Sequence, residues 1–282
     1  MYKIVEKRKL NDSMTLMVVD APFIAKKAQA GQFIILRVDE VGERIPLTVA
    51  DYDREKGTVT IIYQIVGQTT MKLDQLQVGD SILDFIGPLG KPSQLEGYHR
   101  AAVIGGGAGC AIAWPQAKAL RNLGCKVDMI AGFRNKDLII LEDEMRAASD
   151  HLYLMTDDGS NGNKGFTTTA LQENLDNGAG YDLVVAIGPL VMMRAVVGVT
   201  KPLGIKTIVS MNPIMIDGTG MCGGCRLTVG GKTKFACVDG PDFDGFEVDF
   251  DEAIKRGRTY FDQERAAARE ERCRLMEGYK NA

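Results

Sequence analysis

One stretch near the C-terminal end, Asp217-x4-Cys222-x2-Cys225-x11-Cys237, brings a carboxylate and three thiols together in sequence. A [2Fe–2S] cluster is commonly held by C-x4-C-x2-C and a distant fourth Cys, and here Asp217 stands where the first Cys would. Three thiolates and one carboxylate suffice, because non-Cys ligands on one iron are tolerated. Gly218, Gly220, Gly223 and Gly224 free the backbone to wrap closely and to aim N–H groups at the sulfides. A structural zinc ion would accept the same four ligands. The x4 spacing favours the cluster, and water or a partner's residue is an alternative to Asp217. Of the six Cys, the other three (Cys110, Cys125 and Cys273) read as structural thiols. With only two His, His99 and His151, neither a His-based metal site nor a Cys–His nucleophile is expected.

A second chemistry-bearing stretch is Val103-Ile104-Gly105-Gly106-Gly107-Ala108-Gly109, a strand end that opens a helix. In that setting Gly105, Gly106, Gly107 and Gly109 let backbone N–H groups meet a pyrophosphate at the positive end of a helix. The pattern is G-x-G-x-G rather than G-x-G-x-x-G, and a tight strand-to-helix turn would need the same residues. Arg134, in the next strand-to-helix turn, falls where a ribose or phosphate could be met, while Lys136 reads as solvated. Asp157-Asp158-Gly159-Ser160 reads as a turn at a strand end that could lie near a nucleotide. A third group comprises Arg44, Pro46, Leu47 and Thr48, with Tyr63, Gln64, Ile65, Gly67, Thr69 and Thr70. It combines a cation and hydroxyls with compact apolar residues, as a flat ring joined to a diphosphate requires. Ordinary strand ends share these compositions.

The surrounding patterns indicate how these residues are positioned. Residues 1–97 carry short β-branched or alternating runs separated by Gly, Asp and Pro, which predicts a small antiparallel barrel. Residues 98–213 alternate strand and helix, with a helix expected over Leu138–Ala148, and so predict a doubly wound parallel sheet. Residues 214–246, rich in Gly and lacking a hydrophobic period, predict a segment organised by an inorganic centre. Residues 247–282 read as a charged helical tail, either docked on a partner or solvated. The predicted class is therefore a two-domain α+β protein with an added cluster segment.

With 45% hydrophobic residues and a net charge of -3, the 282-residue chain can bury real cores, and it is not a general nucleic-acid binder. No run of about 18 apolar residues exists to span a membrane. The opening MYKIVEKRKLND reads as β-structure rather than a signal peptide, so a cytoplasmic, reducing compartment is expected.

The order of these parts, with Arg44-Ile45-Pro46-Leu47-Thr48, the Gly87-Pro88-Leu89-Gly90 exit, the glycine loop and the C-terminal ligand run, resembles the ferredoxin–NADP reductase superfamily. Within it the chain looks like the branch that holds dihydroorotate dehydrogenase electron-transfer subunits and small subunits of NADH-dependent ferredoxin:NADP oxidoreductase, the latter also described as sulfide dehydrogenase. The resemblance covers essentially the whole chain. The Asp-plus-three-Cys set and Phe235-Ala236-Cys237-Val238-Asp239-Gly240-Pro241 look closest to the second group. Two positions depart from the pattern: Ile45 stands where many relatives carry the flavin-site Arg, and Ala113-Trp114-Pro115 stands where Ala-Pro is usual. The resemblance implies FAD on the barrel, NAD(H) on the glycine loop, flavin-mediated hydride transfer without a protein general acid or base, and a [2Fe–2S] relay. It also implies a larger flavin- and [4Fe–4S]-containing partner, with ferredoxin met indirectly through it and electron bifurcation as the activity of the whole.

Overall fold

The computed structural model describes residues 1–280, of which residues 275–280 are described as backbone only. Seven antiparallel strands come first: β1 (Tyr2–Asn11), β2 (Met14–Asp20), β3 (Phe33–Arg37), β4 (Ile45–Asp53), β5 (Thr58–Gln64), β6 (Ser81–Ile82) and β7 (Asp84–Leu89). Short helices α1 (Pro22–Ala25) and α2 (Gln68–Gln75) interrupt them. The order is β6-β1-β2-β5-β4-β3-β7. β6 and β7 are separated by Leu83 alone, whose N–H bonds the Val38 carbonyl at 3.3 Å. One nearly continuous strand thus pairs with β1 at its start and β3 at its end, and the sheet almost closes into a barrel. Period-two alternation divides β3. Ile34 and Leu36 point into the barrel core with Ile61, Tyr63 and Phe85, whereas Phe33 and Ile35 point out into a second core.

The next unit alternates β8 (Arg100–Gly106), α3 (Cys110–Asn122), β9 (Lys126–Phe133), α4 (Glu142–Ala147), β10 (His151–Thr156), α5 (Thr167–Asp176), β11 (Leu183–Ile187), α6 (Leu190–Thr200) and β12 (Thr207–Ser210). These strands form a parallel sheet ordered β10-β9-β8-β11-β12. β11 is buried along its whole length and β8 along most of its own, as strands with helices on both faces must be. The helix expected over Leu138–Ala148 is shorter: Ile139 and Ile140 are not helical, and Leu141 adopts a left-handed φ of 54°. α4 begins only at Glu142, where three consecutive acids suit the positive end of a helix.

After β12 the chain makes the hairpin β13 (Arg226–Val229) and β14 (Lys232–Phe235), the turn α7 (Ala236–Asp239), and β15 (Asp242–Asp244). β15 returns to the large sheet, antiparallel to β12 with Phe243 opposite Val209. Cys225, Leu227, Val229, Ala236 and Cys237 share one apolar core with Phe33 and Ile35 of the barrel and Ile104 and Val184 of the parallel sheet. The Gly-rich segment therefore has apolar anchors of its own, seated in a core the other two units complete. α8 (Phe250–Arg256) and α9 (Phe261–Lys280) follow. α9 folds back on α2, where Gln68 Nε2 donates to Glu271 Oε2 at 3.2 Å. Among the described residues no helix is long and apolar enough to cross a membrane.

Candidate functional site

A cleft of about 720 Å³ opens at the C-terminal edge of the parallel sheet, against the barrel. The sheet contributes Gly106–Gly109, Gly132–Arg134, Asp157, Thr167, Thr168, Gly188 and Met192, and the barrel contributes Asn11, Ser13, Met14 and Gln64. The strand order reverses between β8 and β11, and such switch points are where open α/β sheets bind nucleotides.

The loop glycines do different work. Gly107 has φ 56°, and nothing lies within 4 Å of where its Cβ would stand, so it presents bare backbone to the cleft. Gly109 is needed for packing, since a Cβ there would sit 2.3 Å from the Ile187 carbonyl oxygen. Gly106 and Gly105 are packed likewise, against Met192 and Cys110. Arg134 is exposed on the cleft wall, and Ser160 Oγ accepts the Lys136 N–H at 2.7 Å across the same rim. Asp157, Thr167, Thr168, Gly188, Ser210 and Asn212 line the cleft without having been singled out as sites, Asp157 excepted as a turn. Only their position after a strand could have flagged them.

In the barrel, the start of β4 lies beside the end of β5, with Val49 opposite Ile61. Pro46, Leu47 and Thr48 are half-buried, and Gln64 and Arg44 are exposed. Among the described residues Arg44 makes no ion pair. Tyr63 differs: its ring is buried in the barrel core and its hydroxyl donates to Asp74 Oδ1 at 3.4 Å. Burial, with the Asp74 charge beside it, pushes its phenol well up. Tyr63 thus offers this face only its backbone. Ile65 is tied by its N–H to the Ser13 carbonyl at 2.8 Å. At the start of α2, Thr70 Oγ1 accepts the Gly67 N–H at 3.0 Å, and the space above Gly67 is open. Thr69 is buried, with its hydroxyl donating to Glu43 Oε2 at 3.3 Å. An uncovered cation, an open helix N-terminus and half-buried strand residues fit a flavin with its diphosphate.

The ligand run forms two pairs. Cys225 and Cys237 are both buried, and burial, reinforced by the neighbouring Cys225, pushes the Cys237 thiol up to about 12. Asp217 and Cys222 lie further out. Asp217 Oδ2 accepts the Cys222 N–H at 2.8 Å, and its Oδ1 accepts the N–H and the hydroxyl of Thr219. These bonds, led by the Thr219 N–H, hold the carboxyl down to about 2. Cys222 is exposed, and its sulfur accepts the Gly224 N–H at 3.5 Å. Among the described residues no three such side chains close on one point as a single ion would require. Two adjacent pairs suit a two-iron centre, in which each iron takes two protein ligands. Gly218 packs the loop onto the barrel, its Cβ position 2.9 Å from Ile35 Cδ1. Cys110 and Cys125 are buried free thiols, pushed up by burial to about 12 and about 11, and Cys273 is exposed rather than structural core.

A near-closed antiparallel barrel, a nucleotide-type parallel sheet and a thiol-rich C-terminal segment define a ferredoxin-reductase-like electron-transfer protein. Residues 212–249 match the family described as the iron–sulfur cluster binding domain of dihydroorotate dehydrogenase B. The chain is 46% identical over 263 residues to the dihydroorotate dehydrogenase B (NAD(+)) electron transfer subunit homolog of Thermotoga maritima, covering 93% of each chain. It is 34% identical over 253 residues to the electron transfer subunit of Clostridium perfringens, covering 88% of this chain and 97% of that one. A solved structure of NADH-dependent reduced ferredoxin-NADP oxidoreductase, described in terms of flavin-based electron bifurcation, superposes with a TM-score of 0.90 at 43% identity, covering 95% of this chain and 96% of the other. The chain belongs to the family of dihydroorotate dehydrogenase B electron transfer subunits and their homologues.

Proposed function

We propose that this chain is the NAD(H)-reactive subunit of a cytoplasmic, heteromeric oxidoreductase, with NAD(H) in the cleft, FAD on the barrel and a [2Fe–2S] cluster on Asp217, Cys222, Cys225 and Cys237. The observation that carries this reading is a single cleft lined by Gly106–Gly109 on one wall and Gln64 of the barrel on the other. FAD held on the barrel would supply hydride exchange with a nicotinamide, and a cluster held on Asp217, Cys222, Cys225 and Cys237 would supply one-electron transfer.

The chain's own contribution is placement. Gly105, Gly106, Gly107 and Gly109 shape a loop on which a pyrophosphate meets backbone N–H groups, with Arg134 beside it as a cation. Arg44 and the open start of α2 at Gly67 and Thr70 meet the flavin diphosphate, to which Thr69, buried with its hydroxyl held by Glu43, offers only its backbone. Pro46, Leu47, Thr48, Gln64 and Ile65, with the backbone at Tyr63, form the shelf for the ring. The shared core around Phe33 and Ile35 puts the ligand segment directly against the barrel, which keeps the relay short. No side chain is assigned a general acid or base role.

The solved relative at 43% identity supports membership of an NADH-dependent reduced ferredoxin:NADP oxidoreductase. The family resemblance of the sequence adds the expectation of a larger flavin- and [4Fe–4S]-containing partner, with ferredoxin reached through it. The match over residues 212–249 supports a second reading, the electron-transfer subunit of an NAD-dependent dihydroorotate dehydrogenase. Co-purification from the native host separates them, since the first predicts a large iron–sulfur flavoprotein and the second a dihydroorotate-oxidising enzyme. Bound FAD, about two iron atoms per chain and NADH-diaphorase activity test the common core of both. A colourless preparation with stoichiometric zinc would overturn the cluster assignment.

A further inference from the structure

Where the barrel's exit linker, α3, β12 and β15 meet, the carboxyl of Asp242 is enclosed by neutral hydrogen-bonding groups. Ser93 Oγ of the linker donates to its Oδ2, Gln116 Nε2 of α3 donates to the same oxygen at 3.1 Å, and Ser210 at the end of β12 stands opposite Asp242 in the strand register. Two side-chain atoms remain: Asp242 Oδ1 and Gln116 Oε1 are both inaccessible to solvent and both lack a partner among the described residues. They are the other oxygens of the two planar groups that the 3.1 Å bond already joins. Both are acceptors as long as the carboxyl is ionised, and a buried acceptor without a donor is costly. Rotating the Gln116 amide by half a turn does not help, because its oxygen would then face Oδ2 instead.

One proton on Oδ1 resolves both vacancies, since Oδ1–H would donate to Gln116 Oε1 and close a ring of two hydrogen bonds. We infer that Asp242 is kept as a neutral carboxylic acid, and that in this form it is a positioning residue locking the barrel linker, the nucleotide domain and the ligand segment at one point. Among the described residues no charge faces it from the elements packed around it. On the linker Lys91 and Glu96 are exposed. On α3 Lys118 pairs with Asp51 at 2.8 Å and Arg121 turns to the Ala147 carbonyl at 3.2 Å. At the sheet edge Lys206 pairs with Asp244 at 2.6 Å, and on α7 Asp239 accepts the Phe235 N–H at 2.8 Å. Burial without a cation raises the Asp242 carboxyl above its ordinary range, in agreement with the geometry. The seam is tied further by backbone bonds from Lys91 to the Gly240 carbonyl at 2.7 Å and from Met211 to the Pro241 carbonyl at 2.9 Å. Ser210, opposite Asp242 in the β12–β15 register, also lines the cleft, so the seam borders its wall.

Only the purpose of this seam rests on the proposed function, and the test is independent of flavin or nucleotide. Infrared difference spectra of the purified full chain near neutral pH should show a protonated carboxylic C=O band that is missing from Asp242→Asn. The Asn variant can donate to Gln116 Oε1 and accept from Ser93 and Gln116 Nε2, so it should fold as the parent does. Asp242→Ala, which leaves those partners empty, should lower Tm by several degrees. A group protonated when folded and ionised when unfolded makes stability fall as pH rises above the ordinary carboxylate range. The Tm advantage of Asp242→Asn over the parent should therefore widen from about pH 4 upward. Absence of the C=O band, or an Asn variant that loses stability like Ala, would overturn the inference. Loss of FAD or NADH binding in the parent would instead count against the proposed function and leave this inference untouched.

Discussion

Asp217 accepts the backbone N–H of Cys222 across 2.8 Å, so the carboxylate in the ligand run already grips the loop that carries the adjacent thiol. The same side chain thus shapes the loop and is proposed as an iron ligand, and substitutions can separate these tasks. Asp217→Asn keeps one carbonyl oxygen for the Thr219 N–H but turns a donor NH2 toward the Cys222 N–H, so it loses the charge and one loop bond, and iron content should fall with only a modest drop in Tm. Asp217→Cys should keep a visible [2Fe–2S] spectrum with a displaced midpoint potential, because a thiolate replaces a carboxylate on one iron. An unchanged midpoint in redox titration would mean that Asp217 is not a ligand.

The two ends of the glycine loop should respond differently to the same added methyl group. At Gly107 a Cβ meets open cleft, and the penalty is the left-handed φ, about 1–2 kcal/mol for a non-Gly residue. Gly107→Ala should therefore raise KM for NADH several-fold with a modest drop in Tm. At Gly109 a Cβ would lie 2.3 Å from the Ile187 carbonyl oxygen, which forces α3 away from β11. Gly109→Ala should fail mainly in folding, with a large loss in Tm or in soluble yield. Equal effects on KM and Tm in both variants would contradict this division.

Much of this organisation was legible in local pattern. Period-two runs announced the barrel, strand–helix alternation announced the parallel sheet, and the spacing from Asp217 to Cys237 marked a segment that lies within the match to the iron–sulfur domain family. What was not legible depends on distant partners. Tyr63 looks like a surface hydroxyl in sequence, yet Asp74 draws it into the barrel core. Ile139 and Ile140 fit a helical period, yet the left-handed turn at Leu141 stops the helix from starting before Glu142. Thr167, Thr168, Ser210 and Asn212 reach the cleft through topology, and no motif surrounds them. The segment after β12 appeared to lack apolar anchors because Leu227, Val229 and Cys225 are scattered, and only the neighbouring units complete their core.

Arg44 is exposed beside half-buried Pro46, Leu47 and Thr48 and has no anionic partner among the described residues, which suits a cation reserved for a diphosphate. Arg44→Gln should lower flavin occupancy after purification and raise the Kd for added FAD several-fold, leaving the Tm of the flavin-free chain unchanged. Arg44→Lys should recover only part of the affinity, because an ammonium cannot replace a planar, two-pronged donor. Flavin quenching on titration reads both variants, and wild-type affinity in Arg44→Gln would remove Arg44 from the site.

At the opposite end of the parallel sheet, Asp128 is buried and accepts from Arg100 at 3.0 Å, from Tyr181 at 2.8 Å and through a contact with His151 Nδ1 at 2.8 Å. Burial alone would raise its carboxyl, but the bonds from His151, Tyr181 and Arg100 outweigh it and hold the group below its ordinary value of 3.8. Since the folded state prefers the ionised form, the stability Asp128 provides is present above the ordinary carboxylate range and is lost as pH falls through it. Asp128→Asn should cost about 2–4 kcal/mol near neutral pH, because Arg100 and Tyr181 lose a charged acceptor at a buried site. The gap between variant and parent should narrow below about pH 4, where the parent carboxyl begins to take up its proton. These groups sit at the N-terminal ends of β8, β9 and β10, away from the cleft, so KM for NADH should not change. Denaturant melts across pH 3 to 8 check the sign, and a gap that grows as pH falls would show that Asp128 is not held by these partners as described.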